Sequence, residues 1–234
     1  MAKQKMMAQT FTIQQLVSWY ASNVRIQPSV YVAEFNACSS NVDRAKKLLI
    51  GSHQWYLRSY MHAQCQILLK KIETLKPWNH SMSSFKDFED VYKWVGSWLQ
   101  SSGIRQLTIY DVALRIVLIT NYSHLLPQNN LYVHALPLFA YKWVCTKEKT
   151  LPHISKNSTI LFSTVKKIFY PLNPWETEDF LCHVGKAIKA IQKNKNKTPK
   201  QITVTDILNQ LQHLSQKKLN TKSCLGNAPY SFDL

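Results

Sequence analysis

Helix-start signals recur along this chain and restrict its fold more than any other feature. Thr12, Ser84, Thr108 and Thr203 are followed three positions later by Gln15, Asp87, Asp111 and Asp206. A hydroxyl and a carboxylate or amide at that spacing satisfy two backbone N–H groups that a helix start leaves without partners. Behind these starts apolar residues return every three or four positions, as in Ile13, Leu16, Val17 and Tyr20, or Phe88, Val91, Tyr92, Val95 and Leu99. That period belongs to helices. Asn41 is placed to cap a further stretch through Leu49, and Gly51 divides it from a continuation carrying Trp55, Tyr60, Cys65, Leu68 and Ile72. Five glycines and nine prolines in 234 residues are too few for a turn-dense β fold.

Past Gly103 the apolar run Ala113, Leu114, Ile116, Val117 and Leu118 is nearly continuous, which predicts a central helix. Leu131 to Ala135 reads as a short extended piece, and Pro137 suits the first turn of a helix reaching Cys145. Further helices are expected around 158–170, 175–193 and 204–218. The fold class is therefore all-α, a multi-helix globular domain. Its core spans 1–193, with a hairpin-like element at about 84–145; residues 194–234 form a small basic helical C-terminal appendage, made of a Lys/Asn-rich connector over 194–201, a short helix and a flexible tail.

Charge sets the expected partner. The chain carries 29 Lys and Arg against 13 Asp and Glu, a formal net charge of +16. The surplus is +7 in residues 1–80, +2 in 81–185 and +7 in 186–234. Lys186, Lys189, Lys193, Lys195, Lys197 and Lys200 form the densest run, with no carboxylate among them. Such a run repels itself unless an anion neutralises it, and nucleic acid is the expected partner because phosphate contacts release counterions. A solvated, solubilising surface is the competing reading. No run of 18 apolar residues offers a spanning helix, and no segment pairs a basic face with bulky membrane anchors, so no membrane partner is expected.

The segment Ser101-Ser102-Gly103-Ile104-Arg105-Gln106-Leu107, followed by Thr108 through Ile119, reads helix, glycine turn, helix. It resembles the helix-hairpin-helix element of the DNA-repair glycosylase superfamily. The resemblance covers about 45 residues, with Gly103-Ile104 as the first half of the turn and Ala113 as the small residue of the second helix. It implies that backbone N–H groups at the turn hold a DNA phosphate, a close approach that glycine permits. Arg105 stands where the family has its second glycine, and its guanidinium would grip the phosphate directly. The resemblance also bears on catalysis. Family enzymes use a carboxylate beyond the second hairpin helix, but no Asp or Glu lies between Asp111 and Glu148, and His134 occupies the corresponding region. The chain then resembles a catalytically degenerate, non-enzymatic relative that binds DNA in preference to RNA. The nucleic-acid-binding residues expected are Gly103, Ile104, Arg105 and the six lysines from Lys186 to Lys200. A protein-interaction or scaffold role, with the basic surface docking an acidic partner, is the alternative.

Other constellations carry less. Cys38, Cys65, Cys145, Cys182 and Cys224 are odd in number and contain no CxxC pair, which predicts reduced thiols and a cytoplasmic location. Met1 to Met7 has no apolar core, so no secretory leader is expected. His62 with Cys65, and Cys182 with His183, do not complete a four-ligand set, so neither metal nor cofactor is expected. Nothing marks Cys182 with His134 or His153 as a nucleophile pair. Asp87, Glu89 and Asp90, and likewise Glu176, Glu178 and Asp179, sit at helix starts where carboxylates complement the dipole. Arg115 is placed to pair with Asp111 across one turn. Trp94 and Trp98 share a helix face, as core or as a stacking surface beside Lys93.

Overall fold

The computed structural model describes residues 11–25, 27–50, 62–99 and 106–221. The helices are α1 (Ile13–Asn23), α2 (Pro28–Asn36), α3 (Asn41–Ile50), α4 (His62–Leu75), α5 (Phe88–Leu99) and α6 (Gln106–Ile119). They continue as α7 (Ala135–Lys147), the short α8 (Lys166–Phe169), α9 (Pro174–Lys195) and α10 (Val204–Thr221). Two strands, β1 (Asn130–Val133) and β2 (Ser158–Leu161), form one antiparallel pair, with Leu131 opposite Ile160. The fold is all-α, as its apolar periodicity predicts.

Two of the four start signals operate where they were read. Thr12 Oγ1 accepts the Gln15 N–H at 3.2 Å while Gln15 Oε1 accepts the Thr12 N–H at 2.9 Å. Thr203 and Asp206 exchange the same pair of bonds, at 3.1 and 3.0 Å, to open α10. The other two are displaced. Helix α5 begins at Phe88, so Asp87 is its cap: Asp87 Oδ1 accepts the Asp90 N–H at 3.1 Å, and Asp90 Oδ2 accepts the Lys86 N–H at 3.0 Å. Helix α6 begins at Gln106, which puts Thr108 and Asp111 inside it, both buried. Likewise α3 is capped by Ser40, whose Oγ accepts the Asp43 N–H at 3.1 Å, and not by Asn41.

Three stretches depart from expectation. Pro28 opens α2 at its first turn as well as lying beyond α1; only Tyr31 and Phe35 are buried there, too sparse a stripe to read as a helix. The helix expected over 158–170 is instead β2, a 3₁₀ turn and the short α8. The connector after residue 193 is shorter than read, because α9 runs to Lys195 before a 3₁₀ turn at Pro199–Gln201.

Apolar side chains gather in two clusters. The first joins α2 to α6 through Tyr31, Phe35, Leu48, Ile72, Val91, Ile109 and Val117. The second joins α1, β1, β2 and α7 to α10 through Leu16, Leu131, Trp143, Phe180, Ile188 and Ile207. Ile202, Val204, Ile207, Leu208 and Leu211 belong to this second cluster, so the C-terminal helix is packed onto α9. Full burial of such side chains contributes about 1.5–3 kcal/mol each. Tyr132 and Trp175 reach from the second group of elements into the first cluster.

Candidate functional site

Between the clusters, α6 and α9 turn ionisable groups towards each other. Helix α9 opens with a capping box, Asn173 Oδ1 accepting the Glu176 N–H at 3.0 Å and Glu176 Oε2 accepting the Asn173 N–H at 2.9 Å. Glu176 also receives Arg25 Nε at 2.6 Å, which ties the end of α1 to the start of α9. The next turn continues the acidic run inward: Glu176, Glu178 and Asp179 are no more than 2% exposed. On α6, Asp111 and Arg115 are buried as well.

The partners explain how these charges are tolerated. Arg115 Nη1 donates to the carbonyls of Leu48 at 2.7 Å and Leu49 at 3.1 Å, completing the C-terminal end of α3, and its Nη2 lies 3.8 Å from Asp111 Oδ2. Asp179 accepts the Tyr20 hydroxyl, and His183 Nδ1 lies 3.3 Å from Asp179 Oδ2. Lys186 is half-buried, and its ammonium draws the Asp111 and Glu178 carboxyls down, together with Arg115. Burial outweighs both cations. It pushes Asp111 up to about 6 and Glu178 well above the usual carboxylate range, the latter assisted by the neighbouring charges of Asp111 and Asp179. Glu178 thus holds its proton more tightly than a solvated carboxyl does.

Taking charges out of water costs several kcal/mol per ion, so a layer like this is expensive. The cost is incompletely offset. Tyr110 Oη, Thr177 Oγ1, Arg115 Nε and both ring nitrogens of His134 are buried without a hydrogen-bond partner among the described residues. Burial keeps His134 neutral by lowering its pKa and raises the Cys182 thiol, which argues against a thiolate nucleophile there. Among the described residues no three His, Cys, Asp or Glu side chains are arranged to hold a metal. A pocket of about 240 Å³ lies elsewhere, lined by Asp87, Glu89, His124, Asn130 and Tyr132, with Tyr132 Oη donating to Glu89 Oε2 at 2.7 Å. The acids around α5 are therefore occupied by capping and by Tyr132.

The residues expected to bind nucleic acid fall into three groups. Gly103, Ile104 and Arg105 lie outside the described residues, between α5 and α6. Lys186 turns to the buried acids and Lys197 to Asp206, at 2.9 and 3.1 Å. Lys189, Lys193 and Lys200 are exposed, and the Lys195 side chain lies outside the described ones. Trp94 is stacked on His80 with 4.6 Å between ring centroids and meets Trp98 edge-on, so its aromatic surface is engaged by the protein itself. Among the described residues no helix is long and apolar enough to cross a membrane. No protein-family model, curated protein or solved structure matches this chain.

The buried layer was missed in the sequence because each acid there has a sufficient local explanation. Dipole complementarity accounts for Glu176, and helical spacing accounts for Asp111 with Arg115. Burial of Glu178 and Asp179 depends on what packs over them, which local spacing does not contain.

Proposed function

We propose that this chain is a non-enzymatic nucleic-acid-binding protein that holds the phosphate backbone, with DNA favoured over RNA. One observation carries the reading. Of the 13 acidic residues, Asp111, Glu176, Glu178 and Asp179 are withdrawn into the interior, whereas Arg115 is the one buried Lys or Arg among the described residues. The exterior is therefore more basic than the formal +16 suggests. Several remaining surface acids are engaged by lysines, as Glu34 is by Lys47 and Asp206 by Lys197. What is left facing solvent is an excess of lysine, the charge pattern that attracts phosphate.

The glycine turn at Gly103 to Arg105 adds a second kind of contact within the same proposal, through its resemblance to the helix-hairpin-helix element. In that reading the chain is a degenerate, glycosylase-like helical protein whose turn supports the lysines. Mobility-shift titration of the full chain against duplex DNA, single-stranded DNA and RNA at low salt tests the proposal. Duplex DNA is expected to bind most tightly, and absence of any shift contradicts it.

A further inference from the structure

Lysines about 50 residues apart in the sequence stand at the ends of two helices that pack on each other. Helices α7 and α9 pack along one another, and two contacts order their ends. Near the start of α7, Leu136 lies so close to Gly185 that a Cβ there would come within 2.7 Å of it. Two turns further along α7, Trp143 Nε1 donates to the Ile202 carbonyl at 3.3 Å, beyond the end of α9. The C-terminal ends of both helices therefore lie at the same end of the α7–α9 pair. Lys147 sits there with its ammonium 5.7 Å from the Trp143 ring centroid, and exposed Lys149 follows in the turn. From the other side come exposed Lys193 and Lys200.

We infer that this end face is a composite phosphate-binding platform for duplex nucleic acid, formed by Lys147 and Lys149 with Lys193 and Lys200. The inference rests on the nucleic-acid reading above and specifies the surface and the form of the ligand. Lysines at helix C-termini also complement the helix dipole, a role that suits Lys147 and Lys193. Lys149 lies beyond the end of α7 and Lys200 in the 3₁₀ turn after α9, and neither has an ion-pair partner among the described residues. Among the described residues, two carboxylates neighbour these lysines, Glu148 in the sequence and Asp206 through Lys197. Asp206 is held by Lys197, which leaves Glu148 against the four lysines.

The chemistry of the face defines the ligand. The chain has no arginine after Arg115, so the platform offers point charges and no bidentate fork for reading a guanine edge. The rings of Tyr141 and Trp143 are buried, so α7 presents neither as a surface on which unpaired bases would stack. A continuous double-stranded backbone, bound without regard to sequence, fits those properties.

Fluorescence anisotropy on the full chain, with labelled duplexes of two unrelated sequences, tests the platform. The K149E/K200E variant is compared with K70E/K86E, which reverses two exposed lysines beside the other apolar cluster. K149Q/K200Q removes the same charges without reversal, and thermal melts establish that each variant is folded. The platform predicts that the two duplexes bind within about threefold of each other, and that K149E/K200E loses about tenfold or more. It also predicts that the salt slope of K149Q/K200Q falls by about 2, and that K70E/K86E changes little. Equal losses in K149E/K200E and K70E/K86E would overturn the platform while leaving nucleic-acid binding intact. So would about tenfold sequence discrimination, or tighter binding of single strands or of polyglutamate. A wild-type chain that binds no nucleic acid contradicts the underlying reading itself.

Discussion

Arg115 stands one helical turn from Asp111, its Nη2 3.8 Å from the carboxylate, and spends its other terminal nitrogen on the carbonyls of Leu48 and Leu49. One guanidinium thereby balances a buried acid on α6 and finishes α3. Removing it leaves a carboxylate and two carbonyls without that partner in the interior.

R115M is therefore expected to destabilise the chain by about 3–5 kcal/mol, the usual cost of leaving one member of a buried pair uncompensated. R115M/D111N removes the orphaned charge and is expected to recover part of that loss. Urea denaturation of both variants measures the difference. Equal stability of the single and double variants would mean that Asp111 does not depend on Arg115.

Glu178 supplies a pH signature of defined sign. Its pKa is raised on folding, so the folded state holds its proton more tightly than the unfolded state does. The resulting stability is fully present below the ordinary value of 4.5 and is lost as pH rises through the folded value. Asp111 behaves alike, between 3.8 and about 6. E178Q imitates the protonated acid permanently. Its stability relative to wild type is expected to be near zero at about pH 4 and to become favourable by about pH 8, as followed by denaturant unfolding. A difference that stays constant with pH contradicts the raised pKa.

Helix α10 gives the opposite sign. Burial alone would raise Asp206, but hydrogen bonds from Thr203 and Lys197 bring it down to about 2. Its stabilising contribution is present above the ordinary 3.8 and is lost as pH falls towards 2. T203A is expected to cost about 1 kcal/mol at neutral pH through loss of the cap. Thermal unfolding near pH 7 checks this, and an unchanged midpoint would show that the cap does not stabilise α10.

Two glycines make a contrasting pair. A Cβ on Gly185 would meet Leu136 side-chain atoms at 2.7 and 2.8 Å and its carbonyl oxygen at 2.9 Å, so G185A is expected to cost about 1–3 kcal/mol. At Gly96 the nearest such atom is Ile109 Cγ2 at 3.8 Å, and G96A is expected to gain about 0.5–1 kcal/mol from helix propensity. Denaturation midpoints moving in opposite directions would bear this out; a tolerated G185A would mean that α7 can shift away from α9.

What was legible in the sequence was local. The Thr12–Gln15 and Thr203–Asp206 boxes, and the Asp111–Arg115 pair, join residues three or four apart and depend on helix geometry alone. The strand Ser158–Leu161 was unreadable because its identity comes from pairing with Asn130–Val133, across an intervening helix. The buried acids of α9 were hidden for the same reason, since the hydroxyl that Asp179 receives comes from Tyr20 near the other end of the chain. The lysine run was visible, but not its division. Folding turns Lys186 inward and pairs Lys197 with Asp206, while Lys189, Lys193 and Lys200 stay exposed.

The central claim is that the outward cation excess holds a phosphate backbone, and its most direct measurement is the salt dependence of duplex binding. With four to five lysines engaged, log affinity is expected to fall against log salt with a slope of about −4 between roughly 50 and 200 mM. A slope near zero, or affinity too weak to detect at the lower concentration, contradicts the claim.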